Sequence, residues 1–426
     1  MYQRGSFRVM YPLFHQRLRD NGDGPSADPL ECHLLTREPR GSAMLMERSF
    51  YEFFAGAGMA RAGLGGGWKC LFANDFDYKK GETYRRNWGD KELKTLDVRK
   101  LRTSDLPGSA DLVWASFPCQ DLSLAGGGAG LKGERSGTFW PFWRLMKTLV
   151  AEDRAPRLIV LENVCGTLTS HDGKDFTAIC NAIQQAGYFL GAFVIDAELF
   201  VPQSRPRLFI VCVRTDVEVP QECISEDPLP KWHARIIDPY LSLSQKVKDK
   251  WVWWSLPLPP RRRIGLSDLI EENPQGVAQY TQEQMRLLLS RMSPLNRVKL
   301  TKAQQLKLPI VGGLYMRTRM DASGAKVQRA EIRFDNLSGC LRTPAGGSSR
   351  QTILIVNGSS VQARLISTRE TARLMGLPDS YILPDNYNEA YHLTGDGVVV
   401  PVVRHLAANI FEPTLAAARV RRSTAA

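Results

Sequence analysis

The sequence predicts an α/β protein in which a parallel sheet is covered by helices on both faces and is followed by a second, smaller β-containing lobe. Continuous apolar runs recur at 50–55, 69–73, 110–115, 157–161, 192–196 and 207–213. Such runs suit strands buried on both sides, the condition of parallel sheets rather than of half-solvated antiparallel ones. Helical segments such as 138–150 and 174–186 separate them, which is the strand–helix alternation of α/β layers. Several runs end in loops of small or polar residues, where open α/β sheets hold their ligands.

A chain of 426 residues can bury a large core spread over two lobes. No apolar run reaches the roughly 18–20 residues that span a bilayer, and residues 1–20 lack the apolar stretch of a secretory signal. A cytoplasmic setting is expected, with the eight cysteines mostly reduced. None of them forms a CxxC pair or a Cys/His ladder, so no metal site is expected. The net charge of +12 and pI near 9.4 suit a polyanionic partner, because each neutralised phosphate releases counterions.

Four stretches follow from these patterns. Residues 1–47 read as a loosely ordered polar extension, with Met44 and Met46 as alternative starts just before the first strand. Residues 48–219 carry the strand–helix alternation and are expected to form the catalytic and ligand-binding domain. Residues 220–363 lose that alternation and contain Pro- and Trp-rich pieces such as "WVWWSLPLPPRRR", the expected smaller lobe. Residues 364–426 regain regular signals: Ser367 with Glu370 three residues on forms a capping box, and Gly376 followed by Pro378 stops the helix. The apolar tail at 398–411 is expected to dock back on the first lobe.

The candidate site residues lie at the ends of the predicted strands. The loop Phe53-Phe54-Ala55-Gly56-Ala57-Gly58 lets backbone approach a nucleotide-like ligand and aims a helix N-terminus at it. Asp75, about 20 residues on, is placed to accept ribose hydroxyl hydrogen bonds. No phosphate-binding Lys-Ser/Thr follows the loop, so an adenosine-type ligand without phosphates is expected. In "WASFPCQDLS" a buried run ends on Cys119 behind Pro118, which fixes the backbone before it. A structural cysteine needs no such presentation, whereas a nucleophile does. Glu162 ends the run at 157–161, and Arg205 and Arg207 precede the run at 207–213, so a thiol, a carboxyl and guanidinium groups converge at one sheet edge.

These segments in this order, "FFAGAG", "NDFD", Leu96-Asp97, "FPCQ", "LENV", "QSRPR", "RETARLMGLPDSY" and "GDGVVVPV", resemble the DNA (cytosine-5) methyltransferase family of the bacterial restriction-modification type over about residues 48–412. The resemblance implies a Rossmann-like S-adenosylmethionine-dependent methyltransferase sheet with a target-recognition lobe. It assigns Phe54, Ala55, Gly56, Gly58, Asp75, Phe76, Asp97, Val98, Pro118, Phe139, Asp396 and Val398 to S-adenosyl-L-methionine. It makes Cys119 the nucleophile, gives Glu162 the cytosine edge, and has Arg205 and Arg207 hold the base and the catalytic strand. It places Gln120, Ser123, Arg135, Arg342 and Arg350 toward DNA. Arg317, Arg319 and Arg333 are further candidates, not sorted between base readers and phosphate clamps. The glycine-rich stretch 124–137, "LAGGGAGLKGERSG", is expected to be a lid that closes over a flipped base.

Two departures from the family pattern stand out. Cys340 occupies the place of a threonine in the recognition strand, which removes a hydroxyl contact to phosphate. Asp396 replaces an asparagine, and its carboxylate would repel that of the cofactor. The implied partner is double-stranded DNA, met by a monomer in the bacterial cytosol at the nucleoid, with any cognate restriction endonuclease acting separately. The stretch of roughly 150 residues between "QSRPR" and "RETARLMG" favours a DNA-reading lobe over a tRNA substrate.

Overall fold

Each apolar run of the first half becomes a strand whose alternate residues serve two different cores. The computed structural model describes residues 47–118, 136–306, 308–321, 323–343 and 350–424. Seven strands, β1 (Arg48–Phe53), β2 (Trp68–Asp75), β3 (Leu93–Thr95), β4 (Leu112–Ala115), β5 (Leu158–Val164), β6 (Tyr188–Asp196) and β7 (Pro206–Arg214), form one sheet in the order β3-β2-β1-β4-β5-β7-β6. All neighbours are parallel except β7, which runs antiparallel between β5 and β6. In β4, Leu112 and Trp114 enter one core while Val113 and Ala115 enter the other, as the two-residue strand period requires. The short β3 falls outside the six predicted runs, since Leu93-Lys94-Thr95 has too little apolar character to stand out.

Helices cover both faces. Helix α3 (Phe139–Ala151) and helix α4 (Lys174–Gln185) bury Phe139, Phe142, Met146, Phe176, Ile179 and Ile183 on one side. On the other lies α1 (Met59–Leu64), while α2 (Tyr78–Trp88) follows β2. Residues 221–256, with the two-residue strands β8 (Ile224–Ser225) and β9 (Trp253–Trp254), pack beside β6; Trp232 and Trp254 join the core of the seven-stranded sheet.

A second, antiparallel sheet has the order β11-β10-β12-β13, from β10 (Ile310–Met320), β11 (Lys326–Arg333), β12 (Thr352–Asn357) and β13 (Ser360–Leu365). Helices α5 (Gln282–Ser290) and α6 (Pro294–Gln304) cover one face and enclose Leu288, Leu300, Leu314, Ala330, Ile332 and Leu354. The chain then returns through α7 (Thr368–Leu374), α8 (Tyr387–Asp396), α9 (Val400–Leu406) and α10 (Glu412–Thr424). Val402, Val403 and Leu406 of α9 enter the core that α1 also lines. Among the described residues no helix is long and apolar enough to cross a membrane.

The capping box at the start of α7 is present: Ser367 Oγ accepts from Glu370 N at 3.1 Å, and Glu370 Oε2 accepts from Ser367 N at 2.7 Å. Glu370 also meets the guanidinium of Arg364 through two bonds of 2.6 and 2.8 Å, with side chains 0% and 1% exposed. Removing one partner of such a buried pair leaves an uncompensated charge, at about 3–5 kcal/mol. Glu370→Ala is therefore expected to lower unfolding stability by about that amount, read from urea denaturation. A change below about 1 kcal/mol would show that the pair contributes little.

Candidate active site

The loop after β1 is shaped by a carboxylate from β2. Asp75 Oδ2 accepts from Gly56 N at 2.8 Å and Oδ1 from Asp77 N at 2.9 Å, so one buried side chain fixes the turns after both strands. Phe54 and Gly56 adopt the left-handed region at φ 55° and 56°, and Gly58 does so at 81°. A Cβ at Gly58 would meet the Trp88 ring at 2.4 Å, which excludes other residues there. At Gly56, by contrast, no atom of the described residues beyond Gly56 and its two chain neighbours lies within 4 Å of where a Cβ would stand. Ala55 is buried and donates its N–H to Asn74 O at 2.9 Å.

Aromatic and acidic groups surround that opening. The Phe76 ring is 71% exposed, unusual for a large apolar side chain, while Phe54 rests edge-on against Phe142. Asp97 caps the turn at 98–100 and pairs with Arg99; burial works against its charge, but Arg99 outweighs that and lowers its pKa. Val98, Phe139 and Val398 are buried, Phe139 completely, with Phe117 and Trp143 rings beside it. Glu52, beneath the loop, is buried with Oε2 unpartnered among the described residues. An open approach over backbone, an exposed ring and buried carboxyl groups fit an adenosine bearing an amino-acid tail. Asp396 does not stand bare: Lys80 Nζ lies 2.8 Å from Oδ2, and the Thr343 hydroxyl bonds to Oδ1.

The second cluster forms at the ends of β4 and β5 and the start of β7. Asn163 Nδ2 donates to Phe117 O at 3.0 Å, which sets the direction in which the chain leaves β4 toward Pro118. Cys119, Gln120, Ser123 and Arg135, with the expected lid through residue 135, lie outside the described residues. Glu162 is buried near the end of β5, and Arg207 Nε approaches its Oε1 at 3.5 Å. Burial pushes the Glu162 carboxyl up, and Arg207 and Arg205 only partly oppose it. Arg205 is committed elsewhere: its terminal nitrogens donate to Leu341 O, Gly395 O and Gly397 O at 2.9, 2.8 and 2.7 Å.

Gln203, Tyr315 and Lys80 were not among the candidate site residues read from sequence, and Cys340 entered there only as a departure from the family pattern. Gln203, fully buried, accepts from Leu341 N and donates to Leu374 O. The Cys340 thiol lies 3.5 Å from Arg205 and 3.9 Å from Arg207. The Tyr315 hydroxyl donates to Cys340 O at 2.9 Å. Lys80 was hidden in a charged helix start with no pattern to mark it. Arg342 is exposed, while Arg350 is held on α8 by Asn388 and lies over the Tyr387 ring at 5.9 Å.

Burial pushes the Glu52 carboxyl up to about 8. An acid whose folded value exceeds its ordinary 4.5 stabilises fully below that value and loses its contribution as pH rises toward 8. Relative to Glu52→Gln, the native protein should therefore lose about 1.4 kcal/mol per pH unit across that window. Parallel denaturation curves at pH 5 to 8 check this, and equal slopes for both proteins would contradict it.

With this geometry established, comparison with known proteins is informative. The family described as C-5 cytosine-specific DNA methylase matches residues 48–412. The chain is 27% identical to the type II methyltransferase M.HhaI of Haemophilus parahaemolyticus, over 85% of this chain and 93% of that one. It is also 27% identical to M.BsuFI of Bacillus subtilis, over 87% and 74%. Among solved structures, the S. pombe Dnmt2 methyltransferase superposes with a TM-score of 0.51 at 17% identity, over 86% of this chain and 98% of that one, a likeness of fold. The two strand-end clusters thus sit in a chain that belongs to the C-5 cytosine-specific DNA methylase family.

Proposed function

We propose that the protein transfers the methyl group of S-adenosyl-L-methionine to C5 of a cytosine turned out of a specific double-stranded DNA sequence, through a covalent bond between Cys119 and C6. One observation carries this reading: neighbouring strands β2, β1, β4 and β5 end, in that order, on Asp75, the Gly56 loop, the segment leading to Cys119, and the buried Glu162. The strand ends that would carry a ligand pocket, a nucleophile and an acid are therefore neighbours in the sheet.

Cytosine C5 is a weak nucleophile. Attack of the Cys119 thiolate on C6 moves the ring electrons toward C5 and N3, dividing one difficult step into easier ones. Bound S-adenosylmethionine supplies the electrophilic methyl that C5 then takes. Glu162, whose carboxyl is held toward its protonated form, shares a proton with N3 and offsets the charge pushed into the ring. Loss of the C5 proton to a base and breakage of the C6–S bond restore the ring and the thiolate. Phe76 and Phe54 would flank the adenine, Asp75 would hold the ribose hydroxyls, and the Lys80–Asp396 pair would face the amino-acid end.

The target must leave the stack, at a cost of a few kcal/mol, and the glycine-rich stretch at 124–137 would close over it. Residues 48–219 with 364–426 carry the reaction and 220–363 read the sequence. The protein acts as a monomer, and any cognate restriction endonuclease acts separately.

Methyl transfer from labelled cofactor should go to duplex DNA and not to tRNA; label in tRNA alone would refute the substrate. Glu162→Gln should lower kcat by about 10²-fold or more. Cys119→Ser should abolish turnover while leaving DNA affinity largely intact, and the native protein should be trapped on duplex containing 5-fluorocytosine as a denaturation-resistant complex. An active Cys119→Ser variant, or no trapped complex, would refute the covalent route.

A further inference from the structure

One face of the second sheet carries charge that its own stability does not require. Along β10 and β11 the register sets Tyr315 opposite Glu331 and Arg317 opposite Arg329, with Arg319 one pair further out. Directly opposed residues of an antiparallel pair share a face, and like charges so placed are destabilising. The other face, with Leu314, Ala330 and Ile332, is the one buried under α5 and α6. An arginine-rich ribbon therefore stands clear of the helices.

Glu331 organises it. Its two oxygens lie 3.2 Å from Arg317 Nε and 2.6 Å from Arg319 Nε, so one carboxylate fixes two guanidinium groups by their inner nitrogens. Contact through Nε leaves the terminal fork of each uncommitted to that carboxylate, and this fork matches guanine O6 and N7. Arg333 differs: Asp335 takes it through both Nε and Nη2, at 2.7 and 2.6 Å, which consumes such a fork.

The ribbon starts at the reaction cluster. Tyr315 bonds to Cys340 O, and the Cys340 thiol lies beside Arg205 and Arg207, the partner of Glu162. At about 3.3 Å per residue, Arg317 and Arg319 stand about 7 and 13 Å beyond Tyr315. The duplex rises about 3.4 Å per base pair, so this reach covers about four pairs. A major groove admits a two-stranded β-ribbon.

We infer that Arg317 and Arg319, held as a pair by Glu331, read guanines in the major groove within about four base pairs of the target cytosine. The inference rests on the DNA-methylating reading above. Glu331 is a positioning residue, and Arg333 is not a reader.

The test is methylation of a randomised duplex library by the native protein and by variants, with bisulfite sequencing of every modified cytosine. The native profile should fix one or two guanines inside that window. Arg319→Lys keeps the charge and loses the fork, so its preference at one guanine should fall about tenfold or more while other positions hold. Arg317→Lys should do the same at a guanine, and Glu331→Gln should blur both. Arg333→Lys should leave the profile unchanged. Lysine variants that retain the native profile, with uniformly reduced rates or not, would overturn the inference alone. A native protein that methylates no duplex would overturn it together with the proposed function.

Discussion

One buried guanidinium fastens the approach to β12 and the end of α8 to the start of β7. Arg205 is 2% exposed, and its three carbonyl acceptors come from two distant stretches, Leu341 ahead of β12 and Gly395 and Gly397 at the end of α8. One side chain thus ties the second sheet and the C-terminal segment to the start of β7. Burial disfavours its charge and the neighbouring Arg207 adds to that, lowering its pKa. A cation held there without its acceptors would cost several kcal/mol, so charge and geometry enforce each other. Gln203 supplies the neutral half of the same joint by bonding Leu341 N and Leu374 O.

That commitment shapes the acid beside it. Arg205 spends its terminal nitrogens on carbonyls, and around Glu162 the 3.5 Å approach of Arg207, the charge of Arg205 and a Ser116 hydrogen bond only partly oppose burial, so burial wins. Asp396 shows the reverse. Burial works against its charge too, but Lys80 and the Thr343 hydroxyl outweigh it and the carboxyl stays low. The two carboxyl groups are therefore driven apart, one toward the proton-bearing form and one toward the anion.

Local physics made the first lobe legible. Strands buried on both faces need unbroken apolar runs, and six such runs became β1, β2, β4, β5, β6 and β7; the cap at Ser367 was equally local. Strand order was not readable, because nothing within β7 says that it will lie antiparallel between β5 and β6. Helix α6 was hidden for another reason. Its buried residues include Asn296, which accepts from Ile332 N, so its inner face is partly polar and gives no clear stripe. At the site, the motifs located Asp75, Glu162 and Arg205 on their strand ends, but not what each one touches. Arg205 bonds residues 136 to 192 positions away, a distance no spacing rule spans.

The start of α2 shows how such a long-range partner can reverse what a local rule predicts. Lys79 and Lys80 occupy its first turn, where the helix dipole disfavours cations and no acid stands nearby in that turn. Asp77 caps the exposed N–H groups, and its charge attracts both ammonium groups. Both reach across to α8, Lys79 to Glu389 at 2.7 Å and Lys80 to Asp396 at 2.8 Å. The first is an exposed pair of small consequence; in the second Asp396 is also exposed, but Lys80 is less so and gains the attraction of Asp75. Asp396, which alone would repel an anionic ligand end, thus becomes half of a neutral pair. Basic residues at a helix start and an acid in place of an amide, each a misfit alone, together form one compensated contact that fastens α8 to the start of α2.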